Sequence, residues 1–281
     1  MAKSIHRIFC GYFLLYIHER RFFFYNHYKI NKKEGSKMEL KEYDHYNEMA
    51  NWSFDHIKYE VEEFTTWNYE NEIAKTIKES SKVLDLGTAA GEKVLKYPKC
   101  KEIIATDYSS EMIKTALLNL EKSKRKDVTF KVMNNLEMNT KDNYFALVTS
   151  RHTVIEPKQI YKTLKKGGKL IVRGVDKLDC WLLKREFSCG LAYDDTKPIS
   201  LLDYEAILDA GFKDVELIPI HTVEYYKTIE DLYALLIKAP ILVEFNKEKI
   251  DLTILNEYCK KNKTKKGIKL IRRYYGIVAY K

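Results

Sequence analysis

The residues that could do chemistry in this chain of 281 begin with an acid–glycine segment, residues 83–91, whose sequence is VLDLGTAAG. An apolar run that ends in Asp85 and continues into small residues is typical of a buried strand entering a tight turn and a helix. Gly87 and Gly91 lack a Cβ atom and can adopt positive φ, so the backbone there can come very close to a ligand. Asp107 closes the next apolar run, where a carboxylate can accept both hydroxyl groups of a ribose. The pattern predicts one half of a nucleoside-binding site in an open α/β sheet.

The spacing of the glycines indicates which nucleoside is bound. A dinucleotide site needs Gly-x-Gly-x-x-Gly with its helix N-terminus aimed at a pyrophosphate, and this loop lacks that spacing. Asp85, in the mouth of the site, would repel a pyrophosphate but would suit the cationic tail of an amino acid. An NAD-dependent oxidoreductase is therefore disfavoured. The loop resembles motif I of the class I S-adenosylmethionine-dependent methyltransferases, an acid and an apolar residue followed by Gly-x-Gly-x-Gly, with Ala89 at the middle glycine.

The resemblance continues along residues 82–174. Residues 128–133 look like the family's third strand, residues 144–150 like its fourth, and residues 160–172 like its next helix, glycine turn and fifth strand. The resemblance implies that S-adenosylmethionine is the cofactor and that it binds to residues at the ends of these strands. These residues are Asp85, Gly87, Thr88, Ala89, Gly91, Asp107, Tyr108, Asn134, Asn135, Leu136 and Ser150.

Methyl transfer from a sulfonium needs alignment of the reactants and exclusion of water, and a base only when the accepting atom is protonated. His152, just after the fourth strand, is the candidate catalytic base, although a histidine there can equally be a structural hydrogen-bonding group. Where the family commonly has an acid against the adenine amino group, Asn134 could accept the same hydrogen bond through its amide oxygen. The seven histidines are scattered, and we predict no metal site. Further base candidates near strand ends are Glu156, Asp176 and His221. Arg151 could pair with a carboxylate of the acceptor, or equally with Glu156.

The residues after the fourth strand narrow the acceptor. Enzymes that methylate adenine or cytosine amino groups have an Asn- or Asp-Pro-Pro-aromatic run there, and carbon-5 cytosine enzymes have Pro-Cys. This chain has SRHT at residues 150–153. We therefore predict a small-molecule acceptor, as in the broad type 11 methyltransferase group. The alternatives are an RNA methyltransferase that uses the basic C-terminal segment and a cofactor-binding regulatory protein without catalysis. Ala89 and Asn134 favour the regulatory alternative, whereas Asp85 and Asp107 argue against it.

The elements that must position these residues form an α/β fold. The resemblance implies a seven-stranded, doubly wound, Rossmann-like sheet of order 3-2-1-4-5-7-6, with the last strand antiparallel and ligands at the carboxyl ends of the strands. We expect helices across residues 38–70 and 70–79 and a serine-capped helix at residues 200–211. The sixth and seventh strands are predicted at residues 215–220 and 268–280.

Two segments exceed what a minimal domain of this kind needs. Residues 176–198 follow the fifth strand, and residues 222–267 separate the last two strands. Helical spacing of apolar residues predicts helices at 228–239 and 247–261. We expect both insertions to form helical caps that act as a lid over the acceptor, with Trp181 and Tyr193 as acceptor-facing side chains.

The net charge of the chain is distributed unevenly along the sequence. The formal net charge is +9, of which residues 1–37 contribute +6, residues 260–281 contribute +9 and the middle contributes −6, unlike a domain that grips nucleic acid over one large face. Residues 1–37 are basic and aromatic, and they could be a membrane-contacting anchor, an extra helix, or sequence upstream of a true start at Met38. We favour the last, with residues 38–281 as the methyltransferase domain.

Five cysteines without a C-x-x-C pair predict a reducing, cytoplasmic setting.

Overall fold

A computed structural model describes residue 54, residues 56–242, residue 245 and residues 249–281. The proposed N-terminal extension, residues 1–37, lies outside the described residues, as does the start of the predicted helical segment up to residue 53. Within the described part, no helix is both long enough and apolar enough to cross a bilayer.

A single mixed sheet of eight strands organises the chain. Parallel strands that are covered on both faces require nearly continuous apolar sequence, and β2 shows this because four of its five residues are buried. The strands are β1 (Tyr59–Glu63), β2 (Lys82–Leu86), β3 (Glu102–Asp107), β4 (Val128–Val132), β5 (Phe145–Arg151), β6 (Leu164–Val175), β7 (Lys213–Tyr226) and β8 (Ile268–Tyr280).

The spatial order of the strands is β4-β3-β2-β5-β6-β8-β7-β1. Its first seven members have the predicted order, and the last strand of the chain, β8, is antiparallel to both β6 and β7 as expected. The eighth strand is a correction, because residues 38–70 were expected to be helical. β1 pairs antiparallel with β7 from Tyr59 opposite Tyr226 to Glu63 opposite Thr222.

β1 escaped prediction for a physical reason. It is an edge strand whose residues are almost all exposed, so it lacks the alternation of buried and exposed residues that marks a strand in sequence. Its stability comes from hydrogen bonds to β7, more than 150 residues later in the chain. β7 is also longer than the predicted residues 215–220, and the extra length supplies the edge to which β1 binds.

Within the described residues, seven α-helices connect and cover the strands. Several of them begin at side chains that accept free backbone N–H groups: Asn68 accepts from Asn71, Ser109 accepts from Met112, and Thr228 forms a capping box with Asp231. The helices are α1 (Tyr69–Thr76), α2 (Ser110–Ser123), α3 (Pro157–Thr163), α4 (Trp181–Phe187), α5 (Ile199–Asp209), α6 (Ile229–Lys238) and α7 (Lys249–Lys261). α5 differs from its prediction because it starts after Pro198 and has no side-chain cap.

Three apolar clusters hold these elements together. Two lie on the faces of the parallel strands, where neighbouring residues such as Val83 and Leu84 contribute to different clusters. The third joins the two insertions, with α4 packing against α6, α7 and the amino-terminal half of β8. The predicted insertion 222–267 is shorter than expected, since residues 222–226 belong to β7. We call the two packed insertions, residues 176–198 and 227–267, the cap.

Candidate active site

The carboxyl ends of β2, β3, β4 and β5 meet at one edge of the sheet, and most of the predicted site residues lie there. Backbone hydrogen bonds fix these ends relative to one another. The N–H of Thr88 donates to the carbonyl of Thr106 over 2.8 Å, and the N–H of Met133 donates to the carbonyl of Asp107 over 2.9 Å. The edge therefore presents the glycine loop, the end of β3 and the turn after β4 as one surface.

The glycine loop approaches its neighbours so closely that side chains would not fit. Gly87 has φ +70°, and a Cβ there would lie 2.6 Å from Thr153 Cγ2. Gly91 has φ +81°, and a Cβ there would lie 2.5 Å from Phe130 Cζ. Ala89 takes the place of the middle glycine and also adopts a left-handed backbone, with φ 48°. That conformation disfavours Ala89 by about 1–2 kcal/mol, so other contacts must hold it.

Asp107 is the group that holds Ala89. Its Oδ2 accepts the Ala89 N–H over 2.8 Å, and its Oδ1 accepts the Ser109 N–H over 2.9 Å. Burial raises the pKa of Asp107, and these backbone hydrogen bonds oppose that rise. Each carboxylate oxygen has a second lone pair, so Asp107 can brace the loop and still accept hydrogen bonds from a ligand. The next residue, Tyr108, is 46% exposed.

Asp85 is buried at the end of β2 among hydroxyl groups. Thr149 Oγ1 donates to its Oδ1 over 2.6 Å, and the Tyr97 hydroxyl donates to the same oxygen over 3.2 Å. Burial raises the pKa of Asp85 to about 6, despite these hydrogen bonds. The charge of Asp85 also helps to raise the pKa of the Tyr69 phenol, after burial of that phenol. A cationic ligand group beside Asp85 would favour its ionised form.

Five buried side-chain atoms within the described residues have no hydrogen-bond partner, and all five belong to residues at this edge of the sheet or to the segment that covers it. Folded proteins pair more than about nine in ten buried polar groups. Such a concentration at one edge indicates that a polar ligand completes it. Three of the residues are among the predicted cofactor contacts. The atoms are Trp67 Nε1, the Tyr69 hydroxyl, Thr88 Oγ1, Asn135 Oδ1 and Ser150 Oγ.

The turn after β4 is built more tightly than its sequence indicates. Asn134 Oδ1 accepts the N–H of Leu136 over 2.9 Å, so the oxygen predicted to face adenine also closes a local turn. Asn135 is buried, and its Nδ2 donates to Thr153 Oγ1 over 3.1 Å. Gln159 of α3, which sequence reasoning missed, fixes the turn with two hydrogen bonds. Its Nε2 donates to the Leu136 carbonyl, and its Oε1 accepts the Met138 N–H.

His152 follows β5 with a left-handed backbone, φ 53°. Its ring stacks on Tyr274 with 5.4 Å between centroids, and its Nε2 contacts Nη1 of Arg173. A guanidinium can only donate, so Nε2 is the acceptor in this contact. Burial, followed by the charges of Arg173 and Arg151, holds the pKa of His152 well below its ordinary value. The ring is therefore neutral at pH 7, and its accepting nitrogen is directed at Arg173.

The other base candidates have separate surroundings. Glu156 accepts the N–H of Lys158 at the start of α3. Asp176 accepts the N–H of Lys177 just after β6. His221 is exposed on β7, and its pKa is lowered by partial burial and by Arg273.

A cavity of about 230 Å³ opens beside the glycine loop, between the ends of β5, β6 and β7 and the segment from residue 63 to residue 70. We call it the basic pocket, because Lys93, Arg151 and Arg173 line it together with Glu70. Arg151 was considered from the sequence as a partner of an acceptor carboxylate or of Glu156, and here it contacts Glu70 instead of Glu156. Lys93, Arg173 and Glu70 were not predicted as site residues, although Arg173 stands out as a lone charge in the apolar run LIVRGV of β6. The two rings expected to face the acceptor, Trp181 and Tyr193, stack on each other 5.1 Å apart and do not line this pocket.

Part of the chain is similar in sequence, and its fold is similar in structure, to known proteins. Residues 77–200 match a family model described as a methyltransferase domain. The fold is similar to that of a proposed methyltransferase from Bacillus halodurans C-125, with a TM-score of 0.55, 18% identity and coverage of 75% of this chain and 96% of that one. It is also similar to the YcgJ protein of Bacillus subtilis, with a TM-score of 0.52, 18% identity and coverage of 76% and 97%.

A third structure, a protein of unknown function from Deinococcus radiodurans R1, has a TM-score of 0.53 at 12% identity and covers 86% of this chain and 98% of its own. No curated protein sequence matches significantly. Within the described residues, no group of three or more histidine, cysteine or acidic side chains could hold a metal ion.

Proposed function

We propose that this chain is an S-adenosylmethionine-dependent methyltransferase of class I that acts on a small-molecule acceptor, which is supported by the match of residues 77–200 to a methyltransferase domain. The observation that carries the proposal is the set of unpaired buried polar groups at the carboxyl edge. The set divides into a group beside the glycine loop (Thr88, Asn135 and Ser150) and a group in the basic pocket (Trp67 and Tyr69). Two neighbouring groups of unpaired atoms fit two ligands, a donor and an acceptor.

The first group belongs to the cofactor in this proposal. S-adenosylmethionine supplies an activated methyl group on a cationic sulfur, and it leaves as the demethylated product once the acceptor's lone pair has formed the new bond to carbon. Asp85 would bind the cationic amino group and Asp107 the ribose hydroxyls, since Asp85 lies at the end of the strand that enters the glycine loop and Asp107 accepts the loop's Ala89 N–H. Asn134, Asn135 and Leu136 would border the adenine. Gly87 and Gly91 keep the loop close enough for these contacts.

The second group supports a small acceptor. The basic pocket has a volume of about 230 Å³, and the chain's own segment at residues 63–70 borders it. That volume accommodates a metabolite-sized group rather than a polymer surface. The acceptor's reacting atom would lie on the β5 side of the pocket, where Arg151 ends that strand.

The basic C-terminal segment gives less support to the RNA alternative. Arg272 is buried and paired with Asp179 and Glu224. Lys260, Lys261 and Lys266 each contact a glutamate, at Glu257, Glu186 and Glu62. A phosphate-binding face needs cations that are free to neutralise the nucleic-acid backbone, and four of the segment's nine basic side chains already pair with carboxylates of the fold.

Two sequence predictions remain part of the proposal. The cap would act as the acceptor lid, because it joins the carboxyl end of β7 to the amino end of β8 and packs against both. His152 would serve the reaction by orienting Arg173, since its accepting nitrogen contacts that guanidinium. A proton released by the acceptor would then leave to solvent or to the acceptor's own groups.

Calorimetry with S-adenosylhomocysteine, the demethylated product, tests whether the chain binds the proposed cofactor. When the free ligand is at a hundredfold its dissociation constant, the free energy of unfolding should rise by about 2.7 kcal/mol. Asp107→Ala should weaken binding by about tenfold or more, because charge-assisted hydrogen bonds to the ribose and the brace on Ala89 are both lost. Glu111→Ala is the matched control, since this acid on α2 pairs only with Lys114 and should leave the affinity unchanged.

A metabolite extract tests the acceptor part. The full chain with isotopically labelled S-adenosylmethionine should transfer the label to compounds of low mass. Transfer to RNA alone would support the runner-up, and tight cofactor binding without any transfer would support the regulatory alternative. A protein that binds NAD and not S-adenosylhomocysteine would contradict the proposal altogether.

A further inference from the structure

We infer that the acceptor carries an anionic group, a carboxylate or a phosphate, and that the Arg173 and Arg151 side chains bind it in the basic pocket. The inference rests on the proposed small-molecule acceptor and adds its chemical class. It follows from two independent observations, a surplus of positive charge in the pocket and a surplus of hydrogen-bond donors.

Arg173 carries the unbalanced charge. It is half-buried near the end of β6, and within the described residues no carboxylate lies in salt-bridge contact with it. Its contacts are the Nε2 atom of His152 and the face of Tyr274, whose centroid lies 4.1 Å from the guanidinium carbon. Burial, followed by the neighbouring charge of Arg151, lowers the pKa of Arg173. A half-buried guanidinium with aromatic and neutral partners is stabilised when an anion reaches it.

The neighbouring cations do not remove this surplus. Arg151 and Arg173 are register partners on the adjacent parallel strands β5 and β6, so both reach the same edge. Arg151 contacts Glu70, and Lys93 lies 3.8 Å from that same carboxylate. One glutamate is thus shared by two cations. The pocket's second carboxylate, Glu63, is exposed on β1, so the lining retains a net positive charge.

The uncharged side chains that line the basic pocket also favour an anionic ligand. Trp67 Nε1 is a hydrogen-bond donor only, and the Tyr69 hydroxyl is a donor or an acceptor. Both are buried and unpaired within the described residues. The two guanidinium groups add further N–H donors and no acceptor. A ligand that supplies several acceptor oxygens in a compact, charged group would pair these donors, and carboxylate and phosphate both do so with the bidentate geometry that arginine favours.

Probe ligands can test the inference without knowledge of the natural acceptor. Benzoate, phenyl phosphate and the neutral isostere benzamide are titrated into the full chain saturated with S-adenosylhomocysteine, so that the cofactor's own carboxylate is already bound. We expect the two anions to bind at least about tenfold more tightly than benzamide. Their relative affinities show whether the site prefers a carboxylate or a phosphate.

Substitutions locate the binding. Arg173→Gln should weaken both anions by about tenfold while the S-adenosylhomocysteine dissociation constant stays within about threefold. Arg173→Lys should restore part of the anion affinity, because lysine returns the positive charge but not the paired N–H donors of the guanidinium. Lys166→Gln is the matched control: it removes one positive charge from the turn at the opposite end of β6, and it should change neither affinity. Melting temperatures of all variants verify that they fold.

The possible failures are distinguishable. Equal binding of benzamide and benzoate would overturn the anion inference and leave the methyltransferase proposal intact. Anion binding that appears only without S-adenosylhomocysteine, together with loss of its affinity in Arg173→Gln, would assign these arginines to the cofactor's carboxylate and overturn the inference. Anion binding unchanged in Arg173→Gln would also overturn it. If S-adenosylhomocysteine itself does not bind while the anions do, the cofactor assignment fails and the pocket's anion preference stands.

Discussion

At the scale of single residues, Asp85 combines an unfavourable burial with a useful charge. Its pKa in the folded chain is about 6, above the ordinary 3.8, because burial disfavours the ionised form. The folded state therefore holds the proton more tightly than the unfolded state does. Its contribution to stability is greatest below about pH 4, declines as the pH rises to about 6 and is constant above that. In the proposed function, the ionised form of Asp85 is the one that binds the cationic group of the cofactor at neutral pH.

Asp85→Asn should remove that pH dependence. The free energy of unfolding of the variant minus that of the wild type should rise between about pH 4 and pH 6, by on the order of 2–3 kcal/mol. The affinity for S-adenosylhomocysteine at pH 7.5 should fall by about tenfold. Urea unfolding at several pH values and calorimetry measure the two effects. Asp142→Asn, at an exposed aspartate that pairs with Lys162, is the control, and an equal pH response in both variants would refute the assignment to Asp85.

The residue scale also shows how far the site could be predicted. The acids and glycines of the loop are visible in sequence because their types and spacing are local. Asp107 was predicted as a ribose contact, and its brace on Ala89 was not, since that hydrogen bond joins residues 18 positions apart. Arg173 was missed although it is a lone charge in an apolar run, because only strand pairing brings it beside Arg151.

At the scale of elements, the order of seven strands was predictable, whereas the edge strand β1 and the extension of β7 that pairs with it were not. The parallel strands carry continuous apolar runs whose order follows from the family resemblance, and seven strands have the predicted arrangement. β1 and the long end of β7 are partly exposed and depend on each other. The same dependence applies to the cap, whose helices were predicted but whose attachment to the sheet involves a buried ionic network.

That network predicts a large effect from one substitution. Both side-chain oxygens of Asp179 accept hydrogen bonds from Arg272, at 2.9 and 3.0 Å, and Arg272 also donates to Glu224. Asp179→Ala leaves a buried guanidinium with one carboxylate, and it should lower the free energy of unfolding by about 3–5 kcal/mol. Lys261→Ala, which breaks the surface pair with Glu186, should change it by less than about 1 kcal/mol. Urea denaturation measures both, and similar small values would show that the network does not hold the cap.

At the scale of the whole molecule, the distribution of charge decides between the two kinds of acceptor. The formal net charge of +9 would suit a nucleic-acid partner if it formed one accessible face. In the folded chain, four of the nine basic residues of the C-terminal segment pair with carboxylates: Arg272 in a buried network, and Lys260, Lys261 and Lys266 with glutamates at the surface. The basic pocket concentrates its uncompensated charge in a space that is too small for a folded polymer.

We therefore predict weak RNA binding that depends strongly on salt. A fluorescent single-stranded RNA should bind at low ionic strength and lose nearly all affinity at physiological salt, because the contacts are unspecific and few phosphates are neutralised. Lys260→Gln combined with Lys265→Gln should weaken this residual binding slightly, whereas Arg173→Gln should leave it unchanged, since Arg173 lies in the pocket rather than on the basic segment. The small-molecule acceptor implies this order of effects. Sub-micromolar binding that persists at physiological salt and is lost on substitution of the C-terminal lysines would instead make RNA the acceptor.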